Sequence, residues 1–595
     1  MWWWFVLACT VSSTGPSDRP ATTPVPTTPP STPTQPTGTT SDPHTADTAP
    51  SGDTSDTGAT PHTGHTGDTG DSGGPPTTPT TPWIPPDHPV ALEPGPTVIC
   101  ADPAAREVLR FDRTELVPVA PMDPALPGSG VLVADLTGDA TPELLFAGEG
   151  WLSAHGWDGA AWQEIGATLL PGVEIGKAWT LSAADVDGDL DLDLFIGTGG
   201  VNQLLRNDGG VLVDATDESG LGDTAWSTVS ASWADFDRDG DLDLVVGNYG
   251  AGPDEGSVLL RPTHPSELYR NDGGTFVDIS DQLPEEVQTG FVFMTAWLDV
   301  DADGWPELLT LHDFGWVRAP SRMLHNDRGR LQLDLATAFH PNFAGMGLAV
   351  ADIDQDGGVD LAQSSASDIS LLFAEPEPVA HVGWSWAIES APAYRLFVDL
   401  VTQGQRFGWG MEFTDLDHDG DEDLPMLFGW WSEYPDPYEE QRDAMFEYDA
   451  SERRFTDRAR EWGVDDGGAG RGLAVADLNG DGWPDLVKRQ LGLASNLVYT
   501  SRCGDAHWLR VVLQDDTSAN RHGIGARLEV SADHQRWTRW IHAGSRSMFA
   551  SMPAEAHVGL GDITSVDLTV VWPDGQESHH PGVDVDQVLT VRRGD

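Results

Sequence analysis

Positive charge is scarce in this chain. Lys and Arg number 32 against 95 Asp and Glu, which sets the formal net charge at −63 over 595 residues. An excess of that size repels phosphate backbones and anionic lipid surfaces, so nucleic acid and a charged membrane face are excluded as partners. Long apolar runs are missing too. Nowhere do 18 apolar residues follow one another, which excludes a transmembrane helix. No segment holds an apolar period of 3.6, so very little helix is expected. The motifs of common catalytic sites are also absent: there is no nucleophile elbow, HExxH, P-loop or nucleotide fingerprint. The histidines His264, His312, His325, His340 and His381 show no metal-ligand spacing.

What the chain does contain is one acidic loop, seven times over. The copies start at Asp135, Asp185, Asp235, Asp299, Asp352, Asp415 and Asp477, at intervals of 50, 50, 64, 53, 63 and 62 residues. Position 1 and position 5 are always Asp, position 9 is Asp or Glu, and position 10 is Leu. A fixed period of this length marks a repeat architecture. The oxygen donors at positions 1, 3, 5 and 9 are Asp135, Thr137, Asp139 and Glu143 in the first loop, and Asp185, Asp187, Asp189 and Asp193 in the second. They are Asp235, Asp237, Asp239 and Asp243 in the third, and Asp299, Asp301, Asp303 and Glu307 in the fourth. The fifth carries Asp352, Asp354, Asp356 and Asp360, the sixth Asp415, Asp417, Asp419 and Asp423, and the seventh Asp477, Asn479, Asp481 and Asp485.

Carboxylates this close repel one another unless a cation sits among them. Oxygen ligands in a flexible loop suit Ca²⁺, with the carbonyl at position 7 as a further donor, so several Ca²⁺ ions are expected, up to seven. An EF-hand is set aside, because position 12 is apolar or small in most copies (Ile196, Val246) where that motif needs a bidentate Glu. The first loop is the weakest copy, with Thr137 at position 3 and Ala140 at position 6.

Each loop sits between strand-like runs, and Asn-Asp-Gly turns such as NQLLRNDGGVLVDAT follow. Asn-Asp-Gly between apolar runs signals a hairpin. Each period therefore holds about four strands, which is one propeller blade. The loops resemble the FG-GAP/VCBS repeats of integrin-alpha-type propellers. Further on, HWLRVVLQDDTSANRHGIGARLEV and VVWPDGQ resemble an ASPIC/UnbV domain, and the order of parts is similar to that of the cartilage acidic protein group. The resemblance implies a surface or secreted calcium-binding protein. The expected fold is all-β: a seven-bladed propeller over residues 95–505 and a small β-sandwich-like domain over 506–595.

The N-terminal part has another composition. Residues 1–9 end in Val-Leu-Ala-Cys, which resembles a bacterial lipobox with Cys9 as the lipidated residue. Residues 10–94 are rich in Thr, Pro, Gly and Asp and should form a disordered spacer. Anchor and spacer together point to an exported protein of the outer membrane or cell surface; secretion is the alternative. The last loop is followed by too few strands for a blade, and the segment before the first loop has strands to spare, so the N-terminal segment should complete the last blade. Cys100 and Cys503 would then lie close. In an oxidising compartment they should be bonded, the alternative being two free thiols.

For recognition, the sixth residue before each loop gives a ring around the channel: Ser129, Trp179, Val229, Phe293, Met346, Trp409 and Arg471. Trp179, Phe293, Trp409 and Arg471 are the ligand candidates there, with core packing the better reading for Val229 and Met346. Long insertions add Trp316, Trp430, Trp431 and Tyr434, aromatics that would either meet a ligand or cap the blades. The functional expectation is a binding or adhesion module for an extracellular protein or carbohydrate. The alternative is a calcium-dependent enzyme acting on a polysaccharide at the channel mouth.

Overall fold

The computed structural model describes residues 88–594, except 101–108, 117–129, 223, 251–261, 316–317, 335–344, 366–368, 375–385, 388–406, 430–440 and 492–494. Cys9, Ser129, Trp316, Trp430, Trp431 and Tyr434, with most of the spacer, lie outside the described residues.

Among the described residues, seven groups of four antiparallel strands follow one another along the chain, the first three joined with a C-terminal hairpin into one 14-stranded sheet. Their first strands are Val131–Ala134, Ala178–Ala184, Ala225–Ala234, Phe291–Leu298, Leu348–Ala351, Gly408–Met411 and Gly470–Ala476. These strands are buried nearly throughout, as in Phe291–Leu298, while a fourth strand such as Phe276–Asp278 buries only its first residue. That gradient is what a propeller requires. Strands at the centre have neighbours on every side, and strands at the rim meet water. Helix is confined among the described residues to short turns, such as Gly166–Leu169 and Ala459–Trp462.

Every acidic loop is the hairpin between the first and second strands of a sheet, in one register. The residue before position 1 faces the acid at position 9, as in Ala134 with Glu143, Ala184 with Asp193, Leu298 with Glu307 and Ala476 with Asp485. The ring closes with the N-terminal strand Phe111–Leu116. It pairs with Asn496–Ser501 and supplies the fourth strand of the seventh sheet. Cys100 and Cys503 form a disulfide beside that closure, with Cα atoms 5.5 Å apart and a sequence separation of 403.

The C-terminal part is a sandwich of two four-stranded sheets. Residues of both, among them Leu509, Val511, Leu528, Val530, Leu568 and Val591, share one core. Two features depart from the expected boundaries. The strand Val90–Pro94, placed in the spacer by its composition, pairs with Gln587–Arg593 at the edge of this sandwich. The run VALEP supplies five backbone partners to an edge that would otherwise stay open, and Val90 packs against the sandwich core.

The second departure is the hairpin Ala543–Ser547 and Ala550–Ser551, which leaves the sandwich and enters the propeller. It pairs with the first strands of two sheets, Ser232 with Gly544 and, in parallel, Val131 with Ala550. Small residues make this possible. A Cβ on Gly544 would lie 2.4 Å from the Ala231 carbonyl oxygen, and Gly544 has φ 103°. The sandwich therefore has its tongue in the channel.

Candidate functional site

The loop geometry repeats in detail. The position-1 carboxylate accepts the backbone N–H of position 6 in all seven copies, at 2.8 Å from Ala140, Leu190 and Gly420, 2.9 Å from Gly482, 3.1 Å from Gly240 and Gly304, and 3.0 Å from Gly357. The position-5 carboxylate accepts the N–H of position 7, as in Thr141 to Asp139 at 2.9 Å and Trp305 to Asp303 at 2.9 Å. Turning the chain back this tightly needs left-handed backbone twice, at positions 4 and 6. In the third loop these are Arg238 (φ 59°) and Gly240 (φ 101°), and in the second Gly188 (φ 79°) and Leu190 (φ 80°). Glycine meets that demand without strain at position 6 in five loops, whereas Leu190 adopts it with a side chain.

The position-9 acid is buried, and both of its oxygens are engaged. Asp243 accepts from Phe236 N at 3.1 Å and, with its other oxygen, from Asn271 N at 2.9 Å; Asp485 accepts from Leu478 N at 3.0 Å and Ser501 N at 2.7 Å. This acid therefore clamps its loop onto the third strand, and its lone pairs not facing an N–H stay available to an ion. Burial, followed by neighbouring carboxylates, pushes Asp243 up to about 9, Glu307 to about 9 and Asp360 to about 8.

Ligand atoms of Asp185, Asp187 and Asp193 lie within 4.8 Å of one another. The same holds for Asp235, Asp237 and Asp239, for Asp299, Asp301 and Asp303, and for Asp352, Asp354 and Asp356. Buried oxygens on Asp235, Asp237, Asp299 and Asp417 have no hydrogen-bond partner among the described residues. Such atoms cost free energy unless something fills the gap between them, and a hard divalent cation fits that donor set. The seventh loop differs, because Arg510 Nη1 already lies 3.3 Å from Asp477 Oδ2. In the first, Thr137 Oγ1 donates to Glu143 Oε1 at 3.1 Å, so both of those donors are engaged within the loop.

The residues six before the loops do not line an open channel. Trp179, Val229, Phe293, Met346, Trp409 and Arg471 are at most 6 % exposed, and the five apolar ones pack in one cluster with Met548 and Phe549 at the tip of the hairpin. Arg471 lies over Trp409 with Cζ 3.9 Å from the ring centre, and Trp409 Nε1 donates to the Gly429 carbonyl at 2.8 Å. Trp179, Phe293, Trp409 and Arg471, the candidates for ligand contact, are thus buried in this structure. Strand alternation located the ring but carried no sign of the plug. At Trp179, Val229, Phe293, Trp409 and Arg471 the register slips by a bulge, which turns these side chains inward.

Two sets of residues escaped the sequence reading. The Asn of the Asn-Asp-Gly turns, and of the related Asn-Asp-Arg-Gly turn at Asn326, does more than turn the chain. Asn207 Nδ2 donates to the Leu136 carbonyl at 2.9 Å, Asn271 to Val186 at 2.9 Å and Asn326 to Phe236 at 2.8 Å, so each ties its sheet to the loop of the preceding one. Their recurrence was visible, but the partner lies one sheet away. The other set is the face of the C-terminal sandwich that covers the loops. Trp537 Nε1 donates to Gly420 O at 2.9 Å, Asn520 N to Gly240 O at 2.8 Å, and His557 Nε2 lies 2.8 Å from Gly482 O. Arg546 pairs with Glu412 at 2.7 Å and Arg539 with Glu422. Among the described residues no helix is long and apolar enough to cross a membrane.

Comparison with known proteins agrees with this layout. The model of FG-GAP-like repeats matches residues 135–196 and 185–246, and that of ASPIC and UnbV matches 516–595. Cartilage acidic protein 1 of Xenopus tropicalis is 29 % identical over 39 % of this chain and 34 % of its own length. The mouse protein of that name is 24 % identical over 43 % of this chain and 38 % of its own. The chain thus spans little more than a third of the length of these relatives. Among solved structures, an Agrocybe aegerita lectin that recognises non-reducing terminal N-acetylglucosamine matches 61 % of this chain and 92 % of its own at 16 % identity, with a TM-score of 0.36. The extracellular domain of a hybrid two-component system of B. thetaiotaomicron covers 81 % of this chain and 59 % of its own at 9 % identity, with a TM-score of 0.35. The chain joins FG-GAP-like repeats to an ASPIC and UnbV domain, the architecture of cartilage acidic protein 1.

Proposed function

We propose that this chain is an exported, calcium-loaded binding module whose ions hold the loop face rigid beneath the C-terminal sandwich. The observation that carries the reading is the set of buried carboxylate oxygens on Asp235, Asp237, Asp299 and Asp417 that no hydrogen bond satisfies. A cation among them removes both the repulsion and the lost hydrogen bonding. The disulfide supports an oxidising compartment, and with it export. Lipidation at Cys9 and an outer-membrane or cell-surface location belong to the same reading. The partner is an extracellular protein or a carbohydrate, met on the outer surface because the channel is filled. The same filling argues against a polysaccharide-cleaving site at the channel mouth.

The test is the melting temperature in Ca²⁺ and in EGTA. Binding to the native state alone adds RT ln(1 + [L]/Kd), about 2.7 kcal/mol per site at a hundredfold excess over Kd. A clear rise in Ca²⁺ is expected, and identical curves would overturn the reading. Glycan and protein arrays probed with and without Ca²⁺ then assign the partner.

A further inference from the structure

One residue beside each loop varies in a way that changes the chemistry offered. In every sheet the Leu at position 10 has a partner on the third strand: Leu144 with His155, Leu194 with Leu205, Leu244 with Tyr269, Leu308 with Leu324, Leu361 with Leu372, Leu424 with Phe446 and Leu486 with Tyr499. The next residue on that strand is Gly156, Arg206, Arg270, His325, Phe373, Glu447 and Thr500 in turn. Arg206 and Arg270 are held by Asp208 and Asp272 at 2.9 and 2.7 Å, and Glu447 by Arg458 at 2.7 Å. Only the fourth sheet puts an imidazole there.

His325 Nδ1 lies 3.3 Å from Glu307 Oε1. Ligand atoms of Asp301, Glu307 and His325 all fall within 4.8 Å of one another. Two donors bound to one tetrahedral Zn²⁺ at about 2.1 Å each are about 3.4 Å apart, close to the separation of these two. The neighbouring Asp299 brings a buried oxygen with no hydrogen-bond partner among the described residues. Ca²⁺ takes oxygen and gains little from an imidazole, whereas Zn²⁺ and its neighbours in the first transition row favour one.

We propose that the fourth loop is a mixed nitrogen and oxygen site that takes Zn²⁺ on Asp301, Glu307 and His325, while the other loops remain calcium sites. The inference rests on the reading of the loops as metal sites, and its test is separable from that reading. The intact protein, stripped with chelator and then saturated with Ca²⁺, is titrated with Co²⁺ as a visible probe and with Zn²⁺ as its competitor. One equivalent of Co²⁺ should bind with the absorption of a site containing nitrogen, and Zn²⁺ should displace it. In His325→Gln and His325→Arg that equivalent should be lost, while the rise in melting temperature produced by Ca²⁺ stays as in the parent. No Co²⁺ uptake in the presence of Ca²⁺, or equal uptake by the two variants, overturns the zinc site. Absence of any Ca²⁺ effect on melting overturns the calcium reading instead, whatever Co²⁺ does.

Discussion

The first and sixth loops share a register and a backbone path, yet they sit in opposite environments. In the first, Thr137, Gly138, Asp139 and Ala140 are exposed, and a Cβ on Gly138 would meet nothing within 4 Å. Asp135 accepts three backbone N–H groups, from Gly138, Asp139 and Ala140 at 2.8, 3.2 and 2.8 Å, so the loop is satisfied by itself and by water. In the sixth, Asp415 and His418 are 1 % and 0 % exposed. His418 stacks on Trp483 with ring centres 4.0 Å apart, and Gly561 N of the sandwich donates to the His418 carbonyl at 2.8 Å. A Cβ on Gly559 would sit 2.1 Å from Asp415 Oδ2. Burial and the adjacent carboxylates lift Asp415 well above the ordinary range and Asp417 to about 6. The same ten-residue loop pattern thus serves as a solvated turn in one place and as part of an interdomain interface in the other. The loop motif sets the geometry; the sandwich decides how far each loop is shut off from water.

The strongest way to break this contrast is to remove the plug that seats the sandwich. Phe549 is 0 % exposed at the centre of the channel cluster. Phe549→Ala should cost about 3–5 kcal/mol in urea denaturation, the range for truncating a buried aromatic. The covered loops should lose Ca²⁺ affinity with it, while the first loop should be unaffected. A loss below about 1 kcal/mol would mean that the hairpin is not seated in the channel.

Next in size is the pair Asp415→Asn and Asp135→Asn, read as the change in stability that Ca²⁺ produces. On the calcium reading, an ion at the covered sixth loop is the only partner left to carboxylates that the sandwich shields from water, so Asp415→Asn should reduce the gain by about the 2.7 kcal/mol of one saturated site. Asp135→Asn should change it by no more than about 0.5 kcal/mol, as expected of an exposed position. Equal effects would remove the distinction between covered and open loops. Gly559→Ala sharpens it from the other side. Its methyl group has no room against Asp415, so the variant should weaken docking of the sandwich by about 1–3 kcal/mol, as overpacking does.

What the sequence carried was whatever repeats. Position 1, 5, 9 and 10 identities, the Asn-Asp-Gly turns and the shortage of strands after Asp485 were enough for the sheet order, the closure through Phe111–Leu116 and the loop register. What it did not carry was contact between parts that each occur once. Nothing in HAGSRSMFAS says that Gly544, Ser545 and Ser547 are small because they run against first strands. Ser545 Oγ accepts from Ala231 N at 3.3 Å and Ser547 Oγ from Met411 N at 3.0 Å. That Trp179, Phe293 and Trp409 pack against Met548 and Phe549 was not legible, because those neighbours lie far away in sequence. Val90–Pro94 was hidden for the same reason: its partner strand starts at Gln587.

The smallest expected effect concerns the link between neighbouring sheets, and it separates the loops' own structure from the cover above them. Asn271 is 0 % exposed; its side chain donates to Val186 O of the preceding loop at 2.9 Å and accepts from Gly274 N at 2.7 Å. Asn271→Ala removes both bonds and leaves a buried carbonyl without its donor, which costs about 1–3 kcal/mol. Asn207 makes the same link one sheet earlier, to Leu136 O. Because Asn207 serves the open first loop and Asn271 the second, their substitutions should cost alike and add within about 0.5 kcal/mol when combined, as distant independent sites do. Urea denaturation of the two single variants and the double variant measures this. A marked excess in the double variant would mean that the sheets are coupled around the ring by more than nearest-neighbour contact, and that the open loops share in the rigidity conferred on the covered ones.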